Sequence, residues 1–485
     1  MMKRKEFWWT LISMLALLLA LTESGKALSL DEYLKAVAQK HGGMKSLEAS
    51  KEAAEGRKIS QELDLSPVLT LSGSYLDDKK TSASSPTYIL NHNEVRSYSL
   101  GLAKKFTTGT QVQVTGSAQQ VNTDYLNSGV GGAAQVGLGS MGLSFSQSLW
   151  KDAFGTSTRK KVSRQKLTAE LEQQSYDLQI QQLLIDAEAA YWDLIYQQNE
   201  VELRTTSLER AKRIETWVKQ RFNNGIGDRA DVLNAQGLLA SRELQLVNAQ
   251  DELKAAQQKI SDLLELKKDE LVPELKGDLN SRRDLVSYVG GEKSGRVLRL
   301  DSYLSVIETK AKALVADEVV EAMKPDLSLS GSYQTNAFVS GEGAVSGFNQ
   351  ASKTDKPTAF VGLQLTWLLD GDVKNANRSA AKKDALAAAL KQERKLLESE
   401  SSWNEIQRRY QELSKKIELA AKINRVQTEK AAAERDKLSK GRSITSQVIT
   451  AEQDAAEAEL TLSKLKTEQR KLEVQGRLFV KVGDK

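Results

Sequence analysis

Three short segments of the chain alternate between apolar residues and small polar residues. Segment 361–367 reads VGLQLTW, and segments 69–75 and 143–149 follow a similar pattern with Ser and Thr at polar positions. Successive side chains of a β-strand point to opposite faces, so each segment predicts a strand with one apolar and one polar face. A soluble β-sandwich also gives such strands, whereas a polar face of Ser, Thr, Gln and Gly suits the wet lumen of a membrane barrel.

Two long stretches show helical periodicity instead. Residues 156–222 and 372–440 contain neither proline nor glycine, and apolar residues recur in them at alternating spacings of three and four. This spacing is typical of coiled coils, and at a rise of 1.5 Å per residue each helix would be about 100 Å long. Returning helices are predicted for 228–266 and 443–481, so that each long helix forms half of a hairpin.

The order strand, strand, long helix, glycine break, helix occurs twice in the chain. Residues 67–75 (PVLTLSGSY) recur as 325–333 (PDLSLSGSY). The first unit has 66 residues between its two strands, at 76–141, and the second has 28, at 334–361. The surplus in the first unit predicts an added β-hairpin that turns at 107–109.

The N-terminus has the layout of a secretory signal peptide. Basic residues 3–5 precede an apolar run from Phe7 to Leu21, and small residues follow up to a cleavage position after Ala27. The rest of the chain has no run of 18 apolar residues, so no membrane-spanning helix is predicted in the mature protein. The chain is therefore expected to be exported.

The loops and the strand count indicate a barrel shared between subunits. Long segments rich in Ser, Gly and Asn occupy 78–94, 122–134 and 336–356, as expected for the outer loops of an outer-membrane barrel. One chain offers too few strands to close a barrel with a lumen, and open edges in lipid would leave backbone groups unpaired. Trp150 and Trp367 stand where strands lead into helices, and are predicted to lie at the membrane interface.

These patterns divide the chain into four parts. Residues 1–27 are the predicted signal peptide, 28–266 the first unit, 267–295 a polar linker and 296–485 the second unit. The predicted helices before the first strands are 30–65 and 296–323, the predicted strands are 67–77, 95–106, 110–121, 135–150, 325–335 and 357–369, and the predicted helical hairpins are 156–266 and 372–481.

Composition argues against catalysis and cofactors. The chain has no cysteine, and its two histidines, His41 and His92, are far apart in sequence. No phosphate-binding loop, metal-spaced histidine cluster or Gly-x-Ser-x-Gly motif occurs, so no enzyme activity, metal or cofactor is expected. A net charge of +5 gives no reason to expect nucleic acid. An exported coiled-coil or surface protein without channel activity is the alternative, but it leaves the two-faced strands unexplained.

Several segments resemble the TolC-like outer-membrane efflux protein family over essentially the whole mature chain. They are Ala190–Leu194 (AYWDL), Arg221–Gly225 (RFNNG), Asp231–Gln236 (DVLNAQ) and Gly362–Trp367 (GLQLTW). The resemblance implies an α+β membrane protein with an internal tandem repeat. It would be a homotrimer whose strands form one shared transmembrane β-barrel in the outer membrane, continued by a long antiparallel α-helical barrel in the periplasm. Its cargo would come from an inner-membrane pump or secretion transporter through a periplasmic adaptor.

The resemblance also assigns roles to the tips of the helical hairpins. In the family the tips face the adaptor and close the tunnel. The corresponding residues here are Asn224, Gly225, Ile226, Gly227, Gly441, Arg442 and Ser443. Glycine permits the tight reversal, so these residues also have a purely structural reason to be present.

Selectivity at the aperture stays open. Many family members carry acidic residues just beyond the second tip, where this chain has Gln447 and Thr450; the matching first-unit positions are Asp231 and Asn234. A ring of Asp231 from three subunits could attract cations, but a carboxylate near a helix start is favourable without any such role. The cargo (drug, metal or protein by type I secretion) also stays open. The number of barrel strands per trimer, 12 or 18, is also undecided, although the added hairpin favours 18.

Overall fold

A computed structural model describes residues 28–85, 88–125, 134–267, 270–281, 284–291, 295–353 and 356–482. The predicted signal peptide, 1–27, lies outside the described residues. Two compact units make up the chain. The tip unit consists of Met1–Glu52, Gln173–Leu304 and Glu393–Lys485, and the sheet unit of Ala53–Glu172 and Ser305–Gln392.

Strands and helices alternate in blocks along the chain. The strands are β1 (Val68–Asp78), β2 (Ser82–Ser85), β3 (Tyr88–Lys105), β4 (Thr110–Tyr125), β5 (Ala134–Ser148), β6 (Gly290–Gly291), β7 (Arg296–Arg299), β8 (Asp326–Ser340), β9 (Pro357–Thr366) and β10 (Phe479–Val482). The helices are α1 (Leu30–Lys40), α2 (Gly42–Ser60), α3 (Thr156–Asn223), α4 (Arg229–Leu263), α5 (Leu300–Ala322), α6 (Ala344–Ala351), α7 (Gly371–Ser439) and α8 (Thr445–Val474). None of the helices in the described part of the chain is long and apolar enough to cross a membrane.

One antiparallel sheet dominates the sheet unit. Its strand order is β1-β3-β4-β5-β8-β9, and the short β2 pairs with β3. The predicted extra hairpin is β3–β4, and it lies within the sheet between β1 and β5. Its turn uses Gly109 at φ 74°, a conformation that costs glycine little. The sheet therefore takes four long strands from the predicted first unit and two from the predicted second unit.

Small and aromatic side chains build the core of the tip unit. Its largest buried cluster joins α1, α3, α4 and the linker, and Tyr33 and Tyr191 have ring centres 5.5 Å apart. The Tyr191 hydroxyl donates to the carbonyl of Lys276 over 2.5 Å. This bond satisfies a buried polar group and fixes the linker against α3, while alanines at 187 and 190 let neighbouring backbones approach closely.

Several predicted boundaries are wrong, and the corrections share one cause. The predicted helix 30–65 breaks at His41, whose backbone is extended. The predicted loop 336–356 contains helix α6, and the predicted helix 296–323 starts with strand β7. The predicted hairpin 372–481 ends in strand β10, which pairs with β7 and β6. Each deviation depends on a partner distant in sequence, which local periodicity does not report.

Three of the predicted strands are also shorter than those formed. β3 begins at Tyr88 rather than 95, β4 continues to Tyr125 rather than 121, and β8 continues to Ser340 rather than 335. The extensions carry polar residues that the alternation pattern assigns to loops. The β3 and β4 extensions hold their extended form because they pair with each other, from Glu94 opposite Asn122 to Leu90 opposite Tyr125, and the β8 extension pairs with β5.

Candidate functional site

The sheet has one apolar face. A cross-strand row runs through Leu69, Leu102, Val114, Leu143 and Tyr333, each opposite the next in register. All five side chains are exposed in the single chain. Leu71, Leu100, Val112, Met141, Phe145, Leu327, Leu329, Val361, Leu363 and Leu365 belong to the same face, called here the apolar face. A contiguous apolar surface of this extent marks a site of membrane or protein contact.

The opposite face is lined by hydroxyl and amide groups. Ser72 and Ser99 are 2.6 Å apart, Ser117 and Ser140 are 2.7 Å apart, and the Gln119 amide donates to a serine of β3. Thr70, Ser74, Ser97, Gln113, Thr115, Ser144, Ser146, Ser328, Ser330, Ser332 and Gln364 lie on this face, called here the polar face. Cross-strand hydroxyl pairs of this kind contribute to sheet stability and stay compatible with water.

The two faces exchange character at the end of the sheet that carries the β1–β3, β4–β5 and β8–β9 connections, called here the loop end. There the polar face has the apolar row Leu76, Val95, Val121 and Val136, and the apolar face has the polar row Asp77, Glu94, Asn122 and Gln135. Asn122 donates to Glu94, and His92 lies 2.5 Å from Asp77. Sequence reasoning missed this exchange, because it depends on the register between strands, which the pattern along one strand does not give.

The two predicted interface tryptophans lie at the other end of the sheet. Trp150 follows β5 and is 51% exposed, and Trp367 follows β9 and is 54% exposed. The Lys374 ammonium is 5.2 Å from the centre of the Trp367 indole ring, a cation–π distance. Their placement at one end of the sheet agrees with a girdle, and their role at a membrane interface stays a prediction.

Both edges of the sheet are open in the single chain. β1 and β9 each pair on one side only within the described residues. Every residue of β1 is exposed. A long exposed edge presents unpaired N–H and C=O groups and is a template for pairing with another strand.

The two hairpin tips fold by the same local mechanism. Gly225 and Gly441 adopt φ 74° and 71°, the left-handed conformation that ends a helix. In the first tip Ile226 donates its backbone N–H to the carbonyl of Arg221, and in the second Arg442 donates to Lys437. Asn224, Gly227 and Ser443 complete the predicted tip residues, and the tip unit holds all of them. The predicted docking role of these residues stays a prediction.

Helix capping distinguishes the tips. Asp228 caps α4 by accepting from the backbone N–H of Ala230. In the second tip the Ser443 hydroxyl instead donates to Glu434, 2.7 Å away. Hydrogen bonds from Lys437 and then from Ser443 hold the pKa of the Glu434 carboxyl below its ordinary value of 4.5.

The four aperture candidates occupy the starts of the returning helices. Asp231 is half-buried in the first turn of α4, and Asn234 one turn later is exposed. Gln447 and Thr450 are exposed at the equivalent positions of α8. The Gln447 side-chain amide lies 3.1 Å from the Ser443 hydroxyl, whose one proton is donated to Glu434. Their predicted position around an aperture stays a prediction.

A buried ion-pair network lies behind the tips. Glu452 of α8 is 5% exposed, and its carboxylate lies 2.9 Å from Arg435 of α7 and 3.6 Å from Arg210 of α3. An apolar cluster of all four hairpin helices lies nearby, including Ile214, Val218, Ala235, Leu238, Leu438 and Val448. Sequence reasoning missed Glu452, because a glutamate on a helix otherwise resembles a solvated surface residue.

A basic groove opens beside the tips between α3 and α7. It has a volume of about 260 Å³ and is lined by Arg210, Arg213, Ile214, Trp217, Arg435, Leu438 and Ser439. The Arg221 guanidinium stacks 4.7 Å from the centre of the Trp217 ring. The sequence signal that could have found it is the cluster of Arg and Trp in the last turns of α3.

Comparison with known proteins agrees with this architecture. Residues 111–265 match the outer membrane efflux protein family. No curated protein matches the sequence. The outer-membrane channel OprN has a similar structure, with 18% identity, 93% of this chain and 89% of the other covered, and a TM-score of 0.64. The outer membrane protein VceC from Vibrio cholerae is 14% identical, with 93% of this chain and 95% of the other covered and a TM-score of 0.64. The open MtrE channel from Neisseria gonorrhoeae is 15% identical, with 93% of this chain and 88% of the other covered and a TM-score of 0.61.

These structural likenesses, all at low identity, establish the fold of an outer-membrane channel. The family match adds sequence evidence from β4 to the end of α4. The family match and the shared fold agree with the predicted family resemblance and with the predicted outer-membrane location. The matched family is one of outer membrane efflux proteins.

Proposed function

We propose that this chain, a member of the outer-membrane efflux proteins, is one subunit of a homotrimeric exit duct. Its six long strands would supply one third of an 18-stranded barrel, in which β9 of one subunit pairs with β1 of the next. The direction of the strands permits this closure, since consecutive strands in the sheet are antiparallel and six is even. Closure would also remove both open edges, which hydrocarbon does not tolerate.

The two-faced sheet is the observation that carries this proposal. The apolar face would meet lipid, and the polar face would line a wet lumen. On β3 the apolar face is bounded by Arg96 and Lys104, eight residues apart. At about 3.4 Å per residue this is about 27 Å along the strand. A strand tilt of about 40° reduces it to roughly 20 Å across the membrane, close to the apolar band of roughly 25 Å in such barrels.

The hairpins would form the periplasmic part of the duct. We propose that the tips and the basic groove beside Trp217 dock a periplasmic adaptor, which connects the duct to an inner-membrane pump or secretion transporter. Three arginines line the groove, so an adaptor surface with acidic or carbonyl groups would fit it by charge complementarity. Small molecules or proteins would then leave the cell through the shared lumen.

A matched pair of lysine substitutions tests the lipid-facing assignment. Leu100 lies midway along the apolar band of β3, and Ser99 beside it belongs to the polar face. We expect Leu100→Lys to destabilise the membrane-inserted trimer by about 2–4 kcal/mol, while Ser99→Lys leaves a folded, detergent-extracted trimer. The measurement is the fraction of heat-modifiable trimer in outer-membrane extracts. Equal loss in both variants, or in neither, would contradict a barrel with this facing.

Transport is tested on the intact protein. The purified trimer in planar bilayers should show conductance, and deletion of the gene should raise sensitivity to toxic compounds or abolish secretion of a protein. A soluble periplasmic rod, or unchanged export in the deletion strain together with no conductance, would refute the duct.

A further inference from the structure

Helix α6, in the β8–β9 connection, packs directly on the apolar face. Its buried positions are Ala344, Gly347 and Ala351, and it lies over β4, β5 and β8. A Cβ atom on Gly139 of β5 would come within 2.1 Å of the Gly347 carbonyl oxygen. The Thr335 hydroxyl donates to the carbonyl of Ala351 over 2.6 Å and fixes the C-terminal end of the helix. Backbone contact through glycines holds α6 in a defined place.

The surface of the sheet that α6 contacts is called here the seat of α6, and the inserted β3–β4 hairpin provides part of it. Phe348 of α6 lies over Gly116 of β4, where an added Cβ would be 3.1 Å from the ring. Gly116 belongs to the hairpin that the second repeat lacks. The seat is also central in the sheet, since β4, β5 and β8 all lie between other strands. Pairing of subunits through β1 and β9 would therefore leave it uncovered.

A cavity of about 530 Å³ lies between Phe348 and the sheet. Leu102, Val114, Met141, Leu143 and Tyr333 line most of it, with Thr335 and Ser352 at its border, and none of the lining side chains in the described part of the chain is charged. An apolar cavity does not hold ordered water, which needs polar partners. The cavity is continuous with the leucines of the apolar face and lies over the two cross-strand rows that contain Leu100 and Leu102, in the middle of the apolar band. The start of α6 lies over Gly137, which is in register with Gln120 and Arg96, and its end is bonded to Thr335, which is in the row of Leu100; α6 therefore extends from the loop end of the apolar band to its middle.

We propose that α6 is an interfacial helix on the outer surface of the barrel and that the cavity beneath it binds one acyl chain of an outer-leaflet lipid. This inference rests on the proposed function, because it requires the apolar face to meet lipid. Val345, 74% exposed on the side of α6 away from the sheet, would enter the acyl region. The lipid headgroup would remain among the polar residues at the end of the band, since the cavity itself offers no charge to bind it.

The absence of cysteine from the chain makes the position of α6 measurable. Single-cysteine variants carrying a nitroxide label are reconstituted as trimers in lipid vesicles, and collision rates with oxygen and with a water-soluble nickel chelate are compared. Val345→Cys should favour oxygen, as should Leu363→Cys on the apolar face. Ser144→Cys on the polar face should favour the chelate.

The pattern of results separates this inference from the function it rests on. If Leu363→Cys favours oxygen and Val345→Cys favours the chelate, α6 is outside the lipid and the inference is wrong, while the barrel stands. If Leu363→Cys favours the chelate, the lipid-facing barrel itself is refuted.

The acyl-chain site has its own test. Vesicles doped with a phospholipid that carries a nitroxide deep in its acyl chain should show an immobilised spectral component with the native trimer. Met141→Trp fills the cavity and should remove part of that component, whereas Leu363→Trp on the open apolar face should not. Val114→Phe fills less volume and repeats the test if the tryptophan variant fails to form trimers. An immobilised component that both cavity-filling variants retain would overturn the site.

Discussion

Substituting Glu452 by glutamine should loosen the hairpin tips. Its carboxylate lies 2.9 Å from Arg435 and 3.6 Å from Arg210, so one group on α8 neutralises cations on α7 and α3. Removing one partner of a buried pair costs about 3–5 kcal/mol. The two arginine side chains are 36% and 21% exposed, so water compensates them in part. We therefore expect a loss of about 2 kcal/mol, below the range for a fully buried pair.

Amide hydrogen exchange of the intact trimer measures this loss of local stability at the residues beside the network. A change of 2 kcal/mol corresponds to roughly 30-fold faster exchange of amides that open locally, and we expect it around Leu438 and Val448, which pack beside the network. Single-channel recording should show longer openings if loosened tips widen the tunnel. Glu457→Gln is the matched control, since it removes the same charge at an exposed position of α8. Exchange unchanged by Glu452→Gln, or equally faster in the control, would refute the reasoning.

Three further perturbations test other parts of the structure. Gly225→Ala should destabilise the first tip by about 1 kcal/mol because Gly225 has a positive φ. Gly237→Ala, at a position of α4 with open space around it, should instead stabilise the protein by about 0.5–1 kcal/mol. Thermal unfolding measures both changes, and equal effects of the two variants would contradict this reasoning. Gly139→Val should expel α6 and expose the β8–β9 connection to trypsin, and unchanged cleavage would argue against the packing. The pKa of Glu434 is lowered, mainly by Lys437, so its stabilisation is complete above pH 4.5 and is lost as the pH falls through the lowered pKa. After correction for the intrinsic slowing of amide exchange at low pH, the protection of amides at the second tip should fall on acidification, and Glu434→Gln should abolish that dependence.

Local sequence determined the regular elements of this protein. Uninterrupted 3,4 spacing without glycine or proline produced α3 and α7, of 68 and 69 residues, because helix formation depends on neighbours within one turn. Alternation produced the two-faced strands, because side-chain direction in a strand depends only on position parity. Glycine at 225 and 441 determined the tips, since the left-handed conformation excludes most other residues.

The tertiary structure alone decided which of these elements meet, and therefore most of the functional detail. The place of the β3–β4 hairpin inside the sheet, the seat of α6 on β5 and the exchange of face character at the loop end all depend on strand register. Glu452 and Arg210 are distant in sequence, yet they form one network behind the tips. Periodicity shows which side chains of a segment share its apolar face and which share its polar face. Contact between segments depends on packing and strand pairing over the whole unit, which the local pattern does not encode.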